Sequence, residues 1–424
     1  MRQRTRTLWL NARIATPNGI IEGGGLLVDE HGVIRDIVAD GDEAAIEAAG
    51  SAGAVGKAGA VGATGAGGGS ADGATDTVEA DPGTTVVRNL GGRLVLPGLI
   101  DVHVHGGGGF EVLRGEFAQL DGMSRFHAAH GTTSFLATLE TAPPEQIERV
   151  LAATKQAAEA GVSGAELLGL HLEGPFLNGK RAGAQNTAHI IDPDPRLAER
   201  FLAAADGCIR LVTLAPELPG GLALASQFAA AGATVSAGHT DATYAEIEQA
   251  VKHGVTHMTH HFNGMRPFHH REPGAAGAGL LLPELTIELI ADGFHVHPEA
   301  IRMAFRMKPS DRICMVTDAV VCAGLPDGEY GHSVMEGGRV YLKDRSSIAG
   351  STLTMIAALR NTLRFTGLPL PCVLPAFTSV PARQAGAAHR KGTLEAGKDA
   401  DFIVVDEAYN LQMTVVRGRI VHQQ

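Results

Sequence analysis

The chain is poor in cysteine and in positive charge and has no long apolar run, and each shortage excludes something. Its four cysteines, Cys208, Cys314, Cys322 and Cys372, form no CxxC pair. That rules out a disulfide framework or a cysteine zinc knuckle and predicts a reducing, cytoplasmic compartment. Lysine and arginine total 35 against 46 acidic residues, a formal net charge of −11, so neither a nucleic-acid groove nor an anionic membrane is expected as the main partner. No stretch reaches the ~18 apolar residues of a membrane span. Arg2, Arg4 and Arg6 are followed only by Leu8, Trp9 and Leu10 before Asn11, too short for the core of a signal peptide.

What is present is enough apolar material for a large core: 44% of 424 residues, with 19% charged, values typical of globular chains. Length alone favours two or three domains, although a (β/α)₈ barrel of ~250 residues counts as one. Leu26-Leu27-Val28 and Val33 to Val38 flank Asp29-Glu30-His31-Gly32, a hairpin with glycine where positive φ is wanted. From about Ala44 to Ala80 the composition collapses to Ala, Gly, Ser and Thr, with Gly50, Gly53, Gly56, Gly59, Gly62, Gly65 and Gly68 every third residue but no proline. This reads as an insertion in a surface loop.

After Asn89, apolar strands alternate with helical stretches such as Pro144 to Ala160 and Tyr244 to His253, the pattern of βα units around a parallel sheet. Eight strands are expected: Leu94 to Val104, Thr132 to Leu139, Leu167 to Leu172, Arg210 to Ala215, Thr234 to Ala237, Val255 to Thr259, Thr286 to Ala291 and Arg312 to Thr317. Eight is the barrel number. Residues 398–405 and 415–421 return to β texture and are expected to pair with the N-terminal strands. The expected architecture is therefore an α/β (β/α)₈ barrel over residues 97–376, with a small β-sandwich domain built from 1–96 and 377–424.

The polar residues fall where such a barrel does its chemistry, at the C-terminal ends of its strands. His103 and His105 follow the first strand, His171 and Glu173 the third, His239 the fifth, His260 and His261 the sixth, His295 the seventh and Asp318 the eighth. Any one histidine alone is better read as a packed core residue, but so many metal-capable side chains at strand ends are not a surface accident. In His103-Val104-His105 the two imidazoles point to one side of a strand and can share a cation. Glu173 could bridge or complete the set, with His239 and His260 as nitrogen ligands from the opposite wall. Imidazole plus carboxylate without thiolate suits zinc, iron or manganese rather than calcium. His257, His269, His270 and His297, like His261, are read as supporting or loop residues.

Other features carry less. Gly106 to Gly109 lacks the Gly-Lys-Ser/Thr ending of a phosphate loop and is read as room beside a metal. Ser236 and Ser351 have no GxSxG elbow, and Cys322 is read as an incidental thiol.

The strings PGLIDVHVHGG (97–107), HLEGPFLN (171–178), KRAGAQ (180–185), AGHT (237–240), MTHHFNGMRPFHHREPG (258–274), ADGFHVH (291–297), TDA (317–319), AGSTLTM (349–355) and GKDADFIVV (397–405) resemble the amidohydrolase superfamily and, within it, the N-acetylglucosamine-6-phosphate deacetylase family. They cover nearly the whole chain apart from the Gly/Ala segment. The resemblance implies a deacetylase that splits the acetamide of an amino-sugar phosphate with one or two divalent metals, Zn²⁺ first, then Fe²⁺ or Mn²⁺. It implies Glu173, His239 and His260 as principal metal ligands, His103 and His105 on a second metal, and Asp318 as general acid/base. Substrate contacts would come from Gln185, Asn263, the Gly264 amide and Met355, with Arg271 and His295 on the phosphate and Arg271 reaching across a homodimer. Gln185 stands where many members have a histidine that polarises the acetyl carbonyl; its amide can donate a hydrogen bond but cannot become cationic. Gly264 replaces a commoner alanine.

Two other readings compete. Another amidohydrolase chemistry, on a related acetamido sugar or a cyclic amide, is the nearest, yet the bridging lysine that many ring hydrolases carry on the fourth strand is missing from 210–215. The other is a non-catalytic sugar-phosphate binding protein, disfavoured by an intact Asp318 beside a full ligand set.

Overall fold

The structure is a computed structural model that describes residues 5–39 and 85–424. The Gly/Ala-rich segment at 44–80 lies outside them.

Both ends of the described chain build one small β domain. Its eight-stranded sheet takes Thr7–Thr16, Gly19–Val28, Ile34–Val38, Val86–Asn89 and Leu94–Pro97 from one end and Phe402–Val405, Leu411–Val416 and Arg419–Gln423 from the other. The seam between them is the antiparallel pairing of Leu94–Pro97 with Phe402–Val405. Alternating apolar positions supply a separate core, including Trp9, Ile14, Leu26, Ile34, Val95 and Phe402; Trp9 meets the Phe402 ring edge-on at 5.1 Å. The Asp29 to Gly32 turn folds back on the C-terminal strands. Gly32 is needed there, because its φ is +80° and a Cβ would lie 2.0 Å from the Arg417 carbonyl oxygen.

The second body is the barrel. Eight parallel strands run in sequence order: Leu99–Val104, Thr132–Leu139, Glu166–Glu173, Ile209–Leu214, Thr234–Ala237, Val255–Met258, Thr286–Ile290 and Ile313–Val316. A parallel bridge between Val104 and Ala319 joins the last to the first. Helices between strands cover the outside, and their starts are encoded locally: Thr243 and Glu246 form a reciprocal capping box at Tyr244–Lys252, and Asp194 caps Pro195–Ala205. Among the described residues, no single helix is long and apolar enough to cross a membrane.

The single strand expected over Leu94 to Val104 is in fact two. The apolar run is unbroken, but the chain changes sheets at Gly98, whose N–H donates to the Asp401 carbonyl at 2.9 Å. A Cβ there would lie 2.0 Å from Thr133 Oγ1, so the crossover passes only as glycine. A three-stranded antiparallel flap, Gly328–Tyr330, Ser333–Glu336 and Arg339–Leu342, follows the eighth barrel strand and was not anticipated. After the helix Met355–Thr366, helical turns continue to Gln384, whose side-chain amide donates to Thr286 Oγ1 on the seventh strand.

Candidate active site

The strand ends converge as the barrel geometry requires. Glu173 is the last residue of its strand, while His239, His260 and Asp318 each sit two residues beyond theirs. These last three adopt positive φ, +46°, +28° and +51°. Such conformations are costly for residues with a Cβ and cluster at functional sites.

Two pockets share Glu173. On one side, Glu173 Oε1 lies 3.2 Å from both His239 Nε2 and His260 Nε2, and those two nitrogens are 3.1 Å apart. On the other, His103 Nε2 and His105 Nε2 are 3.2 Å apart, with His105 Nε2 at 3.4 Å from Glu173 Oε2 and 3.3 Å from Asp318 Oδ1. Three of the four imidazoles are oriented through Nδ1. His239 donates to the Arg181 carbonyl at 2.8 Å, His260 to the Asn263 carbonyl at 3.1 Å, and His103 to Glu288 at 2.9 Å. The proton on Nδ1 leaves Nε2 as a lone pair. Converging lone pairs and carboxylate oxygens at these separations repel one another unless a positive charge lies between them, so the donor set fits a divalent cation.

The same demand for positive charge appears in the ionisation. Burial would push His103 down, yet Glu288, Asp318 and Glu173 raise it to about 9. Burial would raise Asp318, but His103, His105 and His260 hold its carboxylate at about 2. Glu173 is likewise held well below its ordinary value, against burial, by His103 and the hydrogen bonds of His105, His239 and His260. His171, buried beside His103, moves the other way and stays neutral.

A cavity of about 680 Å³ opens over these groups, lined by His105, Glu173, Gln185, His239, His260, Asn263, Gly264, His295 and Asp318, and roofed by the flap residues Tyr330 and His332. The Gln185 carbonyl accepts the Thr141 N–H at 2.8 Å, which turns its NH₂ inward to Glu173 Oε2 at 2.6 Å. His295 is braced by Asp292, Nδ1 to Oδ2 at 2.7 Å. Gly264 has φ +58°, and a Cβ would lie 3.1 Å from His239 Nδ1 and 3.3 Å from His260 Cε1, so this glycine leaves the imidazoles room.

Two expected substrate residues are not brought to this cavity. Arg271 lies exposed in the 259–273 loop, its Nη1 2.9 Å from His270 Nε2. Met355 is fully buried as the first residue of its helix and packs in the barrel core. His297 caps the Pro298–Met307 helix, and His257 reaches Glu288 at 3.0 Å. Sequence reasoning missed Glu288 altogether; its only signal was a charged residue inside the apolar run Thr286-Ile287-Glu288-Leu289-Ile290.

A model of the amidohydrolase family matches residues 94–421. An N-acetylglucosamine-6-phosphate deacetylase of Bacillus subtilis is 39% identical over 359 residues, 82% of this chain and 91% of that protein. An N-acetylgalactosamine-6-phosphate deacetylase of Escherichia coli O157:H7 is 34% identical over 353 residues, 82% and 93%. Among solved structures, a variant of the N-acetyl-D-glucosamine-6-phosphate deacetylase of Mycobacterium smegmatis, in complex with N-acetyl-D-glucosamine-6-phosphate, superposes with a TM-score of 0.83 at 30% identity. It covers 98% of this chain and 99% of that one.

Proposed function

This chain belongs to the amidohydrolase family, and we infer that it is an amide hydrolase that removes the acetyl group from N-acetyl-D-glucosamine 6-phosphate to give D-glucosamine 6-phosphate and acetate. The observation that carries the reading is Glu173 Oε1 at 3.2 Å from both His239 Nε2 and His260 Nε2, with Asp318 on the same cavity wall. A divalent cation held there supplies Lewis acidity, polarising the acetamide carbonyl and making water a stronger acid.

The protein's own groups do the rest. Glu173, His239 and His260 hold the principal cation, and His103 with His105 a second; zinc is the first choice, then iron or manganese. Asp318 is ionised at neutral pH, so it can take a proton from water and return it to the departing amine nitrogen. The Gln185 NH₂ donates to Glu173 Oε2 and has a second N–H that would be given to the acetyl oxygen as charge develops on it. Asn263, the Gly264 amide and His295 line the sugar side.

Arg271 stands off the cavity of its own chain, so a phosphate role for it requires a second copy, and a homodimer with Arg271 at the neighbouring site is part of the proposal. Acetate release from N-acetylglucosamine 6-phosphate, its galactosamine epimer and unphosphorylated N-acetylglucosamine tests the reading. The first is expected to be the best substrate, and a preference for the unphosphorylated sugar would overturn it. Arg271→Ala is expected to lose about 2–4 kcal/mol in kcat/KM on the phosphorylated sugar and little on the other. Equal losses on both would withdraw the phosphate assignment.

A further inference from the structure

Glu288 sits in the middle of the seventh barrel strand with no exposed surface, and its neighbours Ile287, Leu289 and Ile290 are equally buried. A carboxylate in a barrel core is expensive to bury, and packing alone would be served by leucine. What it does instead is accept three hydrogen bonds on the underside of both candidate metal pockets. Oε2 takes His103 Nδ1 at 2.9 Å and the His260 main-chain N–H at 2.9 Å, while Oε1 faces His257 Nε2 at 3.0 Å. Its ion-pair partners among the described residues are both imidazoles.

We infer that Glu288 is a positioning residue for the His103/His105/Glu173 pocket. By accepting the Nδ1 proton it fixes the tautomer and ring plane of His103, so that the Nε2 lone pair faces His105, Glu173 and Asp318. A ligating imidazole commonly depends on a carboxylate in this way, which raises its basicity as well as orienting it. His105 has no comparable brace, since its buried Nδ1 finds no partner among the described residues. Glu288 touches the other pocket only through a main-chain N–H, and the His260 ring there is oriented by the Asn263 carbonyl. Its loss therefore weakens the two pockets unequally. The inference rests on the proposal that the His103/His105 pocket holds a cation, but not on the identity of the substrate.

The test is a cobalt(II) titration of full-length protein freed of metal, read by visible absorption and by competition with a chromophoric chelator. His105→Ala identifies which binding step belongs to the His103/His105 pocket. Glu288→Ala is expected to weaken that same step by about 10–100-fold and to leave the other step nearly unchanged. Glu288→Gln should recover most of the loss, because one amide oxygen can still accept from His103 and His260 while its NH₂ faces His257. Unchanged affinities in Glu288→Ala, or equal weakening of both steps without recovery in Glu288→Gln, would overturn the inference. If His105→Ala removes no step, the two-pocket reading falls and this inference with it, whereas failure of acetate release alone touches neither. Should Glu288→Ala not fold, the imidazole ¹⁵N resonances of zinc-loaded wild-type protein decide. His103 must carry its proton on Nδ1, and a proton on Nε2 sinks the idea.

Discussion

Two buried charge clusters, at opposite ends of the same barrel, solve one electrostatic problem differently. At the mouth, Glu173, Asp318 and Glu288 have only imidazoles as ion-pair partners among the described residues. At the base, against the small sheet, Glu166, Asp399 and Asp401 gather just as tightly. There a fully buried Lys391 sits among them, with Nζ 2.7 Å from Glu166 and 3.1 Å from Asp399 and in contact with Asp401. Arg390 adds bonds of 2.6 Å to Glu166 and Asp399. The base carries its own permanent cations, so the ammonium stands where a metal would have to be. The mouth carries none on its carboxylates and must take positive charge from outside. Carboxylate density is alike in the two clusters, and the lack of a resident Lys or Arg is what sets the candidate metal pockets apart.

The sharpest way to break the comparison is at the mouth. Asp318→Asn keeps the shape of the side chain but not its proton affinity, and kcat is expected to fall about 10²–10⁴-fold with cation content and melting temperature nearly unchanged. A variant retaining more than a tenth of wild-type kcat would remove Asp318 from the proton path.

Lys391→Met attacks the base and should do the reverse. Removing the ammonium leaves the buried Asp401 without its cation and Glu166 and Asp399 with Arg390 still beside them, a loss of about 3–5 kcal/mol in unfolding free energy by denaturant titration. The folded fraction should keep its kcat and bound cation, and a selective loss of cation with stability intact would refute the separation of roles.

Acid sharpens the contrast further. Burial would raise Glu166, but Arg390 and Lys391 bring it down to about 2. A depressed folded pKa stabilises above the unfolded value near 4.3 and is lost as pH falls toward about 2, a swing on the order of 3 kcal/mol. Asp401, which burial shifts upward despite Lys391, offsets part of it. Unfolding measured from pH 5 to 2 should therefore steepen below about pH 4.5 in the wild type and flatten in Lys391→Met. The same slope in both proteins would detach the base cluster from acid stability.

The smallest effect is expected from a region in neither cluster. Deleting residues 48–76, which are rich in Ala and Gly, should change stability and kcat little, because loop length enters only logarithmically. An insoluble or inactive product would contradict that.

The chain order of the barrel was legible because short apolar runs alternate with helical stretches along the sequence. Thr132–Leu139 and Thr234–Ala237 appear with the expected ends. The polar residues at strand ends were legible too, since barrel topology turns position along a strand into position in space. Gly98 was not, because nothing in a continuous apolar run announces that hydrogen-bond partners change. Nor was the flap, whose three short strands form a small sheet of their own.

The sequence by itself determined the fold class and which imidazole and carboxylate residues end up at the mouth of the barrel, because periodicity and residue type are local properties. Only the tertiary structure decided which carboxylates already hold a cation, which nitrogen of each imidazole faces inward, and that Glu288 joins His103 to His260 from below. Those depend on distances between residues such as His103 and Glu288, 185 positions apart, or Glu166 and Arg390, 224 apart, and the packing that brings them together is not local.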